Sequence, residues 1–226
     1  MDKRPHALVT GASSGIGAAV VERLLREDWR VTGISRRPAT FDHPDFDHLS
    51  LDLNDIGGIA DAVAGLAPTA LVHAAGLLKV GTLGSLDHDD SATMWRLHVD
   101  VAERLADALA PRLPKGGRIV FIGSRTASGA AGRGQYAATK AALVALARSW
   151  AIELAPRGIT VNVVAPAATE TPMLRDPARA GVTPKLPPIG RFVQPEEVAG
   201  AVAFLLSTEA SAITGQQLVI CGGSSL

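Results

Sequence analysis

Thr10-Gly11-Ala12-Ser13-Ser14-Gly15-Ile16-Gly17 decides the fold of this 226-residue chain. A short apolar run, His6–Thr10, leads into it, and a helical pattern, Ile16–Glu27, leads out. Glycines permit a tight turn and let backbone amides approach a pyrophosphate. The helix that follows offers free N–H groups and the positive end of its dipole. A glycine-rich turn alone is a weak signal; placed straight after a strand and before a helix it is a strong one. Gly11, Ser13, Ser14, Gly15, Ile16 and Gly17 are therefore candidates for binding a dinucleotide phosphate.

The same alternation continues along the chain. Arg30–Ser35, Ala70–His73, Arg118–Gly123, Ile159–Val164 and Gln217–Ile220 are short apolar runs of the kind that form strands buried on both faces. Between them, Ile56–Leu66, Asp90–Leu109, Gln135–Leu154 and Pro195–Leu206 carry apolar residues at helical spacing. In the first helix Val20, Leu24 and Leu25 share a face opposite Glu22, Arg23, Arg26 and Glu27. Pro195, with Glu196 and Glu197 after it, suits a helix N-terminus. Strand–helix alternation predicts an α/β fold: a Rossmann-type, doubly wound parallel sheet with helices on both faces, formed by residues 1–226 as one domain. The one long irregular stretch, Pro166–Gln194, is expected to serve as a lid or binding loop.

Lys plus Arg and Asp plus Glu each number 22, so the formal charge is zero. That balance gives no electrostatic reason to expect nucleic acid or an anionic membrane as a partner. The apolar run after Asp2, Lys3 and Arg4 is too short for a signal peptide, and the longest apolar stretches, such as Ala141–Ala147, are far below membrane-spanning length. A single cysteine, Cys221, fits a reducing compartment. A cytoplasmic protein is expected.

Ser35-Arg36-Arg37 closes the second strand. A fold that binds NAD places a carboxylate about there for the ribose 2′-hydroxyl; a 2′-phosphate is instead held by arginine. No Asp or Glu stands at this strand end, so Arg36 and Arg37 favour NADP(H) over two merely solvated arginines. Asp52, in Leu51-Asp52-Leu53, is placed either to accept a hydrogen bond from adenine, with Leu53 beside it, or to cap a strand end.

Tyr136 is the only tyrosine, and Lys140 follows four residues later on the same helical face. A free tyrosine has a pKa of about 10. A nearby ammonium favours the phenolate, letting the phenol exchange a proton with a carbonyl oxygen as hydride moves at carbon. Ser124, at the end of the strand Arg118–Gly123, offers a hydroxyl to hold that oxygen.

Taken together these motifs resemble the classical short-chain dehydrogenase/reductase family across essentially the full chain. The glycine segment matches that family's cofactor motif, and His73-Ala74-Ala75-Gly76 matches the segment it usually writes Asn-Asn-Ala-Gly. Ser124, Tyr136 and Lys140 match its catalytic residues. Asn162-Val163-Val164-Ala165-Pro166-Ala167 resembles its Asn-x-Val-x-Pro-Gly segment, and Thr169-Glu170-Thr171-Pro172-Met173 its nicotinamide-amide stretch. Ile189-Gly190-Arg191-Phe192, with Pro195-Glu196-Glu197-Val198-Ala199, resembles its C-terminal helix signature. The resemblance implies that Ala74, Ala75, Gly76, Pro166, Ala167, Thr169 and Thr171 line the cofactor, that Lys140 also binds the nicotinamide ribose, and that the substrate is a small carbonyl compound or alcohol. It further implies a homo-oligomer, tetramer or dimer, through the helices Asp90–Leu109 and Gln135–Leu154. A β-ketoacyl substrate is one option.

Several positions depart from that pattern. His98 stands where the family has an asparagine in a proton relay, and is either a proton shuttle or a hydrogen-bonded core histidine. His73 and Ala74 replace two asparagines. Ala167 replaces a glycine, so that turn must avoid positive φ, and the Ser124-to-Tyr136 spacing is one residue short. These changes keep a second function in view, a catalytically weak NADP(H)-binding regulatory or redox-sensing protein. An epimerase or dehydratase of the superfamily's extended branch is disfavoured because such chains are longer. Asp42, His43, Asp45, Asp47 and His48 read as a polar loop between strands, without ordered metal-ligand spacing, so no metal is expected. Cys221 reads as a small buried hydrophobe. Trp29, Trp95 and Trp150 read as packing residues.

Overall fold

The structure is a computed structural model that describes residues 4–39, 41–176 and 184–226. Its strands are β1 (His6–Thr10), β2 (Arg30–Ser35), β3 (Phe46–Ser50), β4 (Ala70–His73), β5 (Arg118–Ile122), β6 (Thr160–Pro166) and β7 (Gln217–Ile220). They form a seven-stranded sheet in the order β3-β2-β1-β4-β5-β6-β7, and every pairing is parallel. The β-branched and leucine-rich runs explain the middle of it: β4, β5 and β6 are buried along their whole length, as a sheet covered on both faces requires.

The helices are α1 (Gly15–Arg26), α2 (Ile59–Ala62), α3 (His88–Trp95), α4 (Val101–Leu109), α5 (Gly134–Leu154) and α6 (Pro195–Leu206). Two apolar cores result, one on each face of the sheet. Val20, Leu24 and Leu25 of α1 meet Val198, Val202 and Leu206 of α6 on one side. Leu105 and Leu109 of α4 meet Leu143 and Ala147 of α5 on the other. The doubly wound architecture is thus the expected one. Gln194 and Glu197 form a capping box at the start of α6, with Pro195 in its first turn. Among the described residues no helix is long and apolar enough to cross a membrane.

Four expectations need correction. Asp47 and His48 lie in β3 rather than in a loop; this edge strand is only partly buried, so it carries no apolar run. The pattern Ile56–Leu66 yields only a 3-10 turn (Ile56–Gly58) and one turn of α2, since Gly57, Gly58 and Gly65 weaken a helix there. The helix expected over Asp90–Leu109 starts at His88 and is interrupted by a π turn, Arg96–Asp100, in which the Val101 N–H donates to the Arg96 carbonyl. Cys221 follows β7, an edge strand whose Leu218 and Val219 are exposed; the thiol is half-buried, and a hydrogen bond with Ser225 lowers its pKa. The stretch Pro166–Gln194 is largely irregular, with one 3-10 turn at Pro172–Arg175; its residues 177–183 lie outside the described residues. Trp29 and Trp150 pack against the cores, whereas Trp95 is 44% exposed.

Candidate active site

From β1 the sheet winds outward to β2 and β3; from β4 it winds the other way, to β5, β6 and β7. Loops leaving β1 and β4 therefore diverge, which opens a crevice at the carboxyl ends of these strands. Side chains tie the two strand ends together. Thr10 and His73 are register partners, with Thr10 Oγ1 2.9 Å from His73 Nδ1. Thr10 Oγ1 also accepts from the amides of Ala74 (3.1 Å) and Ala75 (3.0 Å). His73 Nε2 donates to the Leu97 carbonyl at 3.2 Å. A carbonyl only accepts, so this nitrogen carries the proton and Nδ1 accepts from the Thr10 hydroxyl. Burial, and then the charge of Lys140, push the His73 pKa down to about 3.

The glycine turn sits beside this knot. Gly11 and Gly15 adopt φ of 71° and 56°, values open to glycine at little cost. The Gly11 and Ala12 amides donate to the Ile34 carbonyl at the end of β2 (2.9 and 3.3 Å). Ser14, at the N-cap of α1, makes no side-chain capping bond. The first-turn amides around Gly15, Ile16 and Gly17 thus lack a side-chain cap, the donor set that suits a phosphate. Ser13 is half-buried beside them.

Arg36 and Arg37 are exposed directly past β2. Ser35 Oγ donates to the Arg37 carbonyl at 2.7 Å, which fixes the backbone there. Asp52 is exposed and caps its own turn: Oδ1 accepts from the backbone amide of Asn54 (3.0 Å) and from its side-chain amide (2.9 Å). The backbone bond to Asn54 is the main cause that lowers its pKa, with Arg36 contributing. These bonds fit the strand-end reading of Asp52. Leu53, next to it, is buried.

On the other side of the crevice, Ser124 follows β5 and N-caps a 3-10 turn, accepting from the Thr126 amide at 3.1 Å. Tyr136 and Lys140 project from the first two turns of α5, and both are buried. Lys140 Nζ lies 5.8 Å from the centre of the Tyr136 ring and donates to the Ile122 carbonyl at 2.9 Å. Burial pushes the Lys140 pKa down to about 7.

His98, in the π turn, is fully buried and edge-on to Tyr136, with ring centres 5.6 Å apart. Its Nε2 accepts from the Leu77 amide at 3.0 Å; Nδ1 lies 2.8 Å from Thr139 Oγ1, which donates to the Tyr136 carbonyl at 2.8 Å. Gly76 lies against this group: a Cβ there would stand 3.1 Å from His98 Nε2 and 3.6 Å from Lys140 Nζ.

After β6 the chain turns at Pro166 without positive φ at Ala167, and the Ala167 amide donates to Ile220 at 2.9 Å. Thr169 Oγ1 donates to the Ala167 carbonyl (3.0 Å) and Thr171 Oγ1 to the Thr169 carbonyl (3.2 Å). The Thr171 methyl would be 3.2 Å from a Cβ on Gly15, so this segment reaches the glycine turn. The fold thus gathers the sequence-derived candidates along one edge of the sheet. Three participants were not foreseen: Thr10, Thr139 and the Ile122 carbonyl. Thr139 had a readable signal, since positions 136, 139 and 140 share one helical face.

Comparison with known proteins accounts for this arrangement. Residues 11–225 match the family model described as enoyl-(acyl carrier protein) reductase. The chain is 37% identical, over 96% of its own length and 96% of the relative's, to 3-oxoacyl-(acyl-carrier-protein) reductase of Salmonella typhimurium. It also superposes on a short chain dehydrogenase family protein from Francisella tularensis, with a TM-score of 0.90 and 29% identity over 98% of this chain and 99% of that one. The chain belongs to the short-chain dehydrogenase/reductase family. A blue fluorescent protein from a metagenomic library, solved in complex with NADPH, also aligns, with a TM-score of 0.87 and 30% identity over 98% of both chains.

Proposed function

We propose that the protein is an NADP(H)-dependent oxidoreductase that interconverts a carbonyl and an alcohol by hydride transfer. The observation that carries this reading is the burial of Lys140 against Tyr136, with Ser124 at the next strand end, in the same crevice as the uncapped start of α1. The glycine turn would hold the pyrophosphate, and Arg36 and Arg37 a 2′-phosphate. The cofactor supplies the hydride. Tyr136 acts as general acid towards the carbonyl oxygen in reduction and as general base in reverse. Lys140 in its ammonium form stabilises the phenolate, and its contact with the Ile122 carbonyl orients it. Ser124 holds the substrate oxygen. Thr169, Thr171, Pro166 and Ala167 would line the nicotinamide side. The Salmonella relative, a 3-oxoacyl-(acyl-carrier-protein) reductase, makes a β-ketoacyl thioester a substrate to try. The reading includes a cytoplasmic homo-oligomer acting on small molecules.

NADPH and NADH oxidation is to be followed over ketones, aldehydes, quinones and β-ketoacyl esters. The expected result is turnover with NADPH, weak turnover with NADH and loss of activity in Tyr136→Phe. Arg36→Asp/Arg37→Ala should shift the preference towards NADH. A native preference for NADH sinks the role given to these arginines. Tight NADPH binding without turnover on any carbonyl, in either direction, would favour the regulatory alternative.

A further inference from the structure

The π turn places an imidazole, rather than a carboxylate or a charged partner, at the back of the Tyr136–Lys140 pair. Donor and acceptor roles around it are fixed one after another. The Leu77 backbone N–H can only donate, so His98 Nε2 accepts and bears no proton. The proton of a neutral ring then sits on Nδ1 and points at Thr139 Oγ1. The Thr139 hydroxyl is left to donate, and among the described residues its acceptor is the Tyr136 carbonyl. One chain of bonds therefore runs from the loop after β4, through the π turn, into the first turn of α5. Nε2 faces a backbone N–H that gives up no proton, and the Nδ1 proton meets a hydroxyl whose own proton ends on a carbonyl, so these bonds offer no path for net proton transfer. The titratable groups around it are Lys140 and Tyr136 on α5 and His73 on β4. None of its hydrogen-bond partners among the described residues is a carboxylate. A proton on Nε2 would face the Leu77 N–H and stand close to the Lys140 ammonium, which opposes charging the ring.

We propose that His98 and Thr139 form a hydrogen-bonded splice that positions Tyr136 and Lys140 against the loop Ala74–Leu77, with His98 a neutral positioning residue and not a proton carrier. Thr139 matters as much as His98, because it converts the ring's N–H into a hold on the backbone of Tyr136. The kinetic part of this proposal rests on the reductase reading above; the proton placement does not.

The first measurement is nitrogen NMR of the histidine rings in the intact protein, with His98 assigned from His98→Asn. The expected signal is a ring protonated on Nδ1 and bare on Nε2, unchanged from pH 5 to 8. A ring protonated on Nε2, or one that titrates in that range, overturns the proposal whether or not a carbonyl substrate is ever found. In kinetics, His98→Leu and Thr139→Val should each lower kcat by about a hundredfold, the effect of a catalytic group displaced by about an ångström. Because the glycine turn and the arginines after β2 are untouched, NADPH affinity should fall far less than kcat. Their losses should not add in the double variant, as members of one network behave. His98→Asn offers an amide oxygen to Leu77 and an amide N–H to Thr139, and Thr139→Ser keeps the hydroxyl; both should return to within about tenfold of the parent, the worth of one net hydrogen bond. Their pH profiles should keep the parent's acid limb. If folded His98→Asn is as inactive as His98→Leu, or its acid limb moves, the ring carries protons and the proposal fails.

Discussion

Lys140 is buried against the Ile122 carbonyl and the Tyr136 ring rather than against a carboxylate, and that has a stability consequence opposite to the usual ion pair. Its pKa falls from an ordinary 10.5 to about 7. Between those values the unfolded chain binds a proton that the folded one does not, so this residue makes stability rise with pH from about 7 to about 10.5. At pH 7 and below, its burial costs on the order of a few kcal/mol. Lys140→Met should accordingly raise the thermal midpoint of the ligand-free protein at pH 7, and the advantage should shrink towards pH 10. Calorimetry at the two pH values checks this; a variant less stable at pH 7 refutes it. At this scale Tyr136, Lys140 and Ser124 could be named as candidates from residue type and spacing. Whether His98 shuttles protons could not be read, because proton placement depends on Leu77 and Thr139, neither of them a neighbour of His98 in the sequence.

At the level of elements, the glycine turn shows why its spacing is rigid. A Cβ on Gly17 would lie 2.2 Å from the Gly11 carbonyl oxygen, a backbone atom that cannot step aside. In an ordinary helix alanine gains about 1 kcal/mol over glycine; here the clash should more than reverse that. Gly17→Ala is expected to lower the urea midpoint and to weaken NADPH binding, measured by denaturation and by cofactor fluorescence titration. A stabilised variant would show that the turn relaxes freely. The central strands and α1, α5 and α6 could be read from periodicity because each carries a continuous apolar face. β3 could not, since an edge strand buries too little to need an apolar run. The π turn was equally hidden, as Arg96–Asp100 continue a helical pattern and only the hydrogen bonds reveal the change of pitch.

Over the whole molecule, both helices expected to build an assembly carry large apolar side chains in solvent: Trp95 of α3 at 44% and Ile152 of α5 at 78% exposure. The proposed homo-oligomer would cover these side chains. Trp95→Asp with Ile152→Asp should shift the protein from an oligomer towards monomers in light scattering, leaving the circular dichroism of the fold intact. A parent that is already monomeric would remove the oligomer from the proposal. A second apolar area, with Phe204 of α6 and Leu218 and Val219 of β7, lies at the far edge of the sheet.

Local chemistry in the chain was enough to determine the α/β class and to single out the glycine turn, the arginines after β2 and the Ser124–Tyr136–Lys140 set as candidates. Each depends on residue type and on spacings of a few positions, which fix backbone freedom and helical face directly. Tertiary structure alone decided that β3 closes one sheet edge and that Thr10 locks β1 to β4. It also decided that His98 reaches Tyr136 through Thr139. These depend on contacts between residues as many as 65 apart in the chain, and on which buried donors and acceptors remain to be matched once the sheet has formed.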